Sequence, residues 1–407
     1  MQLGCFNKKS LSLLIIIACC VFGIGGFVVL KRKPSYPVPV LWKVDVGPYL
    51  DTRTPFIPAP DGGILAASYG NLGKILELDQ VGTLRTNLTK GVHRFRFPRP
   101  IEVEANGVFY HSFHNQEALS TLRAQGVNGS DLWQVNTLEL SRLAPPVVAN
   151  DGTIYFNARS NLVALSRSGQ VKWSFAADAP LYRPASLGPD GSIYLVSAEH
   201  LYCLNSEGSL QWDIRGSDWY DTPAVESDGT VYVRGGSTNL TLTAIQPDGE
   251  VAWIYSNTGV HGATEPVIGP DGAIHVLTTD SWLETINPDG SLKWKVQLGE
   301  YHSMQAPVVA RDGTVFVASA DPKVTAVGPD GDVKWVFEVP KKGDFRMPQS
   351  WNEMKKIIRE RFGFAKPILV SRPLLAPDGT LYVGFSQQYG SIYALSTGKK
   401  PHVSNTP

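Results

Sequence analysis

Cysteine is almost missing from the body of this chain. Of four cysteines in 407 residues, Cys5, Cys19 and Cys20 fall at the very start and only Cys203 remains beyond. No internal disulfide can staple the body, although a chain of this length can hold a core without one. Charge is also scarce, at 18% of residues, and 37 basic residues balance 37 acidic ones. A neutral chain has no global attraction for nucleic acid, so none is expected as a partner. Low charge together with 39 Gly and 29 Pro excludes a disordered chain or a coiled coil, which need more charge and fewer turn-formers. There is no Gly-rich phosphate loop of Walker type and no Gly-x-Ser-x-Gly elbow. His111 and His114 stand three apart in a strand-like run, so they point to opposite faces and do not form a simple metal pair.

Long apolar runs are missing too, with one exception. Leu11 to Leu30 is free of charge, with Lys8 and Lys9 before it and Lys31, Arg32 and Lys33 after it. As a helix this run would cross ~30 Å, the thickness of a bilayer core. Length and flanking charge favour a single-pass anchor over residues 11–30, behind a short basic tail at 1–10 and before a Pro-containing linker at 31–40. A cleaved signal peptide would have a shorter apolar region. Ile16-Ile17-Ala18-Cys19 resembles a bacterial lipoprotein cleavage box, but the ten residues after Cys20 stay apolar. The more basic downstream flank, taken alone, favours a cytosolic body.

What is present, repeatedly, is the turn. Asp-Gly or Asn-Gly begins at Asp61, Asn106, Asp151, Asp190, Asp228, Asp271, Asp312 and Asp378, at intervals of 45, 45, 39, 38, 43, 41 and 66 residues. Periods of this size with strand-like segments indicate propeller blades. A second turn ends at Gly169, Gly208, Gly249, Gly290 and Gly331 inside the corresponding units. Four short strands fit each unit, and no unit could bury both faces alone, so the units must stack.

Three columns support this register. Four residues after each first turn begins come Leu65, Tyr110, Tyr155, Tyr194, Tyr232, His275, Phe316 and Tyr382. A column of small residues holds Ala164, Cys203, Ala244, Thr285, Ala326 and Ala394, with Glu77 out of character. The third column is Trp173, Trp212, Trp253, Trp294 and Trp335, and Leu84 is expected at or near this position in the first unit. A large ring over a small residue of the adjoining sheet would fill the space between blades. The eighth unit lacks its Trp strand, and the segment after the linker supplies one with Trp42. The expected fold is therefore all-β: an eight-bladed propeller over residues 41–400, closed by an N-terminal strand and followed by a tail at 401–407.

The pattern in LVALSRSGQVKW and LYCLNSEGSLQW resembles the tryptophan-docking repeat of the pyrroloquinoline-quinone (PQQ)-like propeller family. That family mixes quinoprotein dehydrogenases with non-catalytic envelope scaffolds, among them the outer-membrane assembly lipoprotein, whose size this chain approximates. Among the enzymes, the resemblance implies PQQ held between a Trp and a disulfide of adjacent cysteines, with Ca²⁺ and an Asp base. Here the adjacent cysteines are Cys19 and Cys20, inside the apolar run, and Cys203 reads as core. No Ca²⁺ cage can be assigned. The non-catalytic branch is expected, with no cofactor, and it implies an extracytoplasmic, periplasmic body on a membrane anchor. Glu77 reads as part of a distorted first blade or as a buried functional carboxylate. Trp219, Tyr220 and Trp282 are available for the alternative of glycan binding in the funnel.

Two features point to a protein partner on the face opposite the Gly turns. Residues 340–370 are an insertion between blades seven and eight, with eight basic and three acidic residues. Within it Trp351, Met354, Ile358 and Phe362 form one stripe of an amphipathic helix. This helix is expected as a lid or as a docking element. The other feature is a set of arginines entering the innermost strands, Arg53, Arg99, Arg183 and Arg372. They are expected around the funnel mouth, gripping carboxylates or phosphates, or pairing between blades. The function expected is that of a membrane-anchored, monomeric interaction scaffold.

Overall fold

An Asp-Gly step closes a hairpin because glycine accepts the positive φ at its end, while the Asp side chain satisfies the turn's own amides. Gly152 adopts φ +82°, and Asp151 Oδ1 accepts the N–H of Thr153 at 2.8 Å. Asp228 and Asp378 do the same for Thr230 and Thr380, each at 2.8 Å. A computed structural model of the protein describes residues 38–46, 50, 56–59, 62–68, 74–87, 102–103, 108–114, 120–126, 130–137, 144–216, 219, 221–235, 240–257, 264–278, 280–299, 305–319, 323–339, 370–386 and 390–397. All lie in one compact unit, Ser35–Pro407.

These residues form eight four-stranded antiparallel sheets. Blade three runs outward from Val147–Val148 through Ile154–Ala158 and Asn161–Leu165 to Val171–Ala176. The short first strands of blades four to eight contact one another in order, so they line the axis. Val40–Asp45 forms the outermost strand of blade eight, beside Ser391–Ser396. The eight-bladed count and the closing strand are as the sequence predicts. Packed clusters join blade two through blade eight in order, and blade eight to blade one.

The columns align in the sheets. Tyr155 stands opposite Ala164, and Ala164 opposite Trp173. A bulge before the Trp position recurs in every blade, and in blade three Val171 and Trp173 oppose successive residues with Lys172 the extra one. The Trp ring meets the aromatic ring of its own blade across the small residue, with centroids 5.7 Å apart for Tyr155 and Trp173. It reaches the next blade at the second Gly turn, not at a small strand residue as expected. Trp173 Nε1 donates to Ser206 O at 3.0 Å, and a Cβ built on Gly208 would lie 2.6 Å from that ring. Trp212, Trp253 and Trp294 dock in the same way on Pro247, Pro288 and Pro329 O, each at 2.8 Å. At the closure Trp42 Nε1 donates to Gln80 O of blade one at 2.7 Å. Trp335 lies 5.6 Å from Phe316 in blade seven.

Two positions differ from expectation. Trp133 is a further docking tryptophan, opposite Ala124 and bonded to Arg167 O at 2.6 Å. In blade one Thr86, not Leu84, occupies the Trp position opposite Glu77, while Leu84 pairs with Leu78. With no ring to accommodate, the small residue is not required there, and Glu77 is half-buried rather than enclosed. The anchor at 11–30 and the helix bearing Trp351, Met354, Ile358 and Phe362 lie outside the described residues. Among the described residues there is no helix.

Blade six explains its own exception. His275, the histidine of the aromatic column, faces Thr285, the threonine of the small column, and Nδ1 lies 2.8 Å from Thr285 Oγ1. Burial pushes the His275 pKa down to about 4. An unfolded histidine takes up its proton near pH 6.5, so this residue's contribution is present above that value. It is lost as pH falls toward about 4, by up to about 3 kcal/mol. His275→Phe with Thr285→Ala, the pairing of blade seven, is expected to flatten the acid limb between those values in urea titrations. An unchanged limb would show that His275 is not the group responsible.

Candidate partner-binding site

Segments entering the inner strands are held by polar groups of the second strands. Asn157 Nδ2 donates to Leu181 O at 3.2 Å and to Arg183 O at 2.6 Å, fixing the link into blade four. In blade five the same column holds Arg234, whose Nη1 donates to Thr264 O at 2.5 Å in the link into blade six. In blade eight the position is Gly384, and its N–H donates to Ser371 Oγ at 2.7 Å. The residue before a proline is driven to extended backbone, so Arg183 and Arg372 leave these anchored links just before Pro184 and Pro373.

One charged network results. Arg234 is 4% exposed and pairs with Asp221 at 2.9 Å. Arg183, from the neighbouring link, approaches the other Asp221 oxygen at 3.8 Å. Burial raises the Asp221 pKa, opposed by Arg234 and Arg183 and reinforced by Glu265. Arg372 bonds Glu265. Because the two enter blades eight and six, this pair runs past blade seven as a chord across the mouth. Arg234 Nε and Thr264 Oγ1 are buried without a hydrogen-bond partner in the protein.

Of the four sequence-predicted arginines, Arg53 and Arg99 lie outside the described residues. Arg183 faces Asp221 of the neighbouring link, and Arg372 faces Glu265 two links away. Sequence reasoning missed Arg234, Asp221 and Glu265. Arg234 had a local signal: it stands where other blades have Asn157, Val196, Leu277, Ala318 and Gly384. It also missed Tyr182, which is 54% exposed beside Arg183, itself 49% exposed at the side chain.

Cys203 is a buried free thiol with its pKa pushed up to about 11 by burial, and it has no adjacent cysteine. No cluster of His, Cys, Asp and Glu suited to a metal occurs among the described residues. Of the aromatic residues of the glycan alternative, Trp219 and Trp282 are described. Trp219 is 8% exposed and packs against Gly216 in the blade four and five core. Trp282 is half-buried with Lys295 Nζ 5.0 Å above its ring, and Tyr220 lies outside the described residues.

A family model described as "Outer membrane protein assembly factor BamB" matches residues 118–265. No curated protein sequence matches. The structure is similar to BamB from Moraxella catarrhalis, with TM-score 0.63 and 15% identity over 88% of this chain and 100% of that one. It is also similar to the C-terminal WD40 domain of Sif2, with TM-score 0.65 and 11% identity over 89% of this chain and 99% of that one. The match to the family model covers residues 118–265, and the propeller fold resembles that of BamB.

Proposed function

We propose that this protein is a non-catalytic scaffold of the cell envelope, anchored through residues 11–30, that docks a protein partner on the funnel mouth. The observation that carries the reading is Tyr182 beside Arg183 on a link pinned from beneath by Asn157. Tyr and Arg dominate binding energy at interfaces because each combines a large contact area with directional hydrogen bonds. Pinning the link lowers the entropy lost on docking. Among the described residues the mouth network has three arginines against two carboxylates, so an acidic patch on the partner is the complementary surface. The inserted segment 340–370, with its stripe from Trp351 to Phe362, supplies a second docking element. The likeness to BamB supports a scaffold over an enzyme.

A photo-crosslinking amino acid at Tyr182 in intact cells is expected to trap one discrete partner. The same probe at Leu292, 42% exposed on an outer strand, is expected to trap none. Arg183→Ala should weaken capture by roughly tenfold, the size of a hot-spot loss. Equal trapping at both sites, or capture indifferent to Arg183→Ala, would refute docking at the mouth. Protease protection of intact cells tests the compartment: the propeller should be cleaved only after the envelope is opened.

A further inference from the structure

The other end of the axis carries a different kind of site. There the inner strands Ala224–Val225, Val267–Ile268 and Val308–Val309 run into their Gly turns. They line an open cavity of about 320 Å³, to which Val225, Ile268 and Val309 contribute apolar surface. Glu226 and Arg311 line it from blades five and seven, with Gly269 and Pro270 of blade six between them.

Arg311 breaks its column, and Glu226 shares its column with one other carboxylate. Two residues before the first turn the sequence has Glu104 in blade two, but Ala59, Ala149, Gly188, Gly269, Ala310 and Ala376 in the other blades. At the position of Arg311 the described residues are Asn150, Pro189, Ser227, Pro270 and Pro377. Small residues and prolines suffice to build the turn, so neither charge is needed for the fold. Nor does either satisfy the other. Glu226 Oε1 accepts from Ser227 N and Oγ at 3.1 Å each, but Oε2 is buried and has no hydrogen-bond partner in the protein. Arg311 forms no ion pair with a described residue. An acceptor left unpaired while shielded from water is costly unless a ligand supplies the donor. A few polar groups placed around an apolar wall are the usual make-up of a small-molecule pocket.

We infer that this cavity binds a small zwitterion of the amino-acid type, its ammonium on Glu226, its carboxylate on Arg311 and its aliphatic spacer over Ile268 and Val309. The site is independent of partner docking, because it lies at the end of the axis opposite Arg183 and Arg372.

The test is calorimetric titration of the full-length protein in detergent with glycine, β-alanine, γ-aminobutyrate and ε-aminocaproate, which vary the distance between the two charges. One length should bind best. Glu226→Gln and Arg311→Gln should each weaken it by about tenfold or more while leaving the melting temperature unchanged. Butylamine and butyrate, each with one charge, test the same claim without any substitution and should bind far more weakly than γ-aminobutyrate. Absence of binding across the series overturns the inference. So does affinity indifferent to both substitutions, or equal affinity for the single-charge analogues.

Discussion

Arg234→Met is expected to cost about 3–5 kcal/mol, the range for removing one partner of a buried ion pair. The change leaves Asp221, 8% exposed, with Arg183 at 3.8 Å as its nearest cation, and it also unties the link at Thr264. Two features separate this from simple loss of packing. Burial already raises the Asp221 pKa, and the native state of the variant holds that proton more tightly still. A folded-state pKa raised above the unfolded one gives a stabilising contribution at low pH that is lost as pH rises through the folded value. Arg234→Met should therefore regain stability on acidification. Asp221→Asn added to Arg234→Met should restore part of the loss, because no buried charge then remains unpaired. Denaturant titrations of the two single variants and the double variant measure this, and strictly additive losses would contradict the coupling.

Trp42→Ala is expected to be the most damaging of the docking-tryptophan substitutions, at about 3 kcal/mol or more. Its ring lies 5.6 Å from Tyr382, it donates to Gln80 O, and a Cβ on Gly82 would meet it at 2.7 Å. The same contacts recur at Trp173, but there all four strands of the blade are consecutive in the chain. In blade eight the strand bearing Trp42 is held to Ser391–Ser396 by packing and hydrogen bonds, since the chain connects these two strands only the long way around the ring. Trp42→Ala should therefore lower the melting temperature more than Trp173→Ala does. Equal effects would mean that closure contributes no more than any other junction.

The ring was legible in the sequence because its determinants are local. A turn glycine and a tryptophan four residues later specify a bulged hairpin, and Gly208 with Trp212 shows the whole device within five residues. Trp133 also stands four residues after a glycine, Gly129, but Asn128-Gly129 lacks the Asp-Gly, Glu-Gly or Ser-Gly step of the second turns in blades three to seven. The mouth network escaped for a different reason. Arg372 and Glu265 are 107 residues apart and meet only because one blade separates theirs in the ring. Asp221 and Arg234 belong to one repeat, yet nothing in a strand pattern tells that a buried arginine will reach back to the link before it. The pairing of His275 with Thr285 lay between the two: both departures from their columns were visible, and the register shows that they answer each other.

The closing strand is best tested by hydrogen exchange on the intact protein. The N–H groups of Val40–Asp45 that pair with Ser391–Ser396 are expected to exchange as slowly as those in the middle strands of blade eight. They should be released together with that blade in Trp42→Ala. Exchange of Val40–Asp45 at the rate of a free peptide, with Ser391–Ser396 still protected, would mean that the ring is not closed by its N-terminal strand.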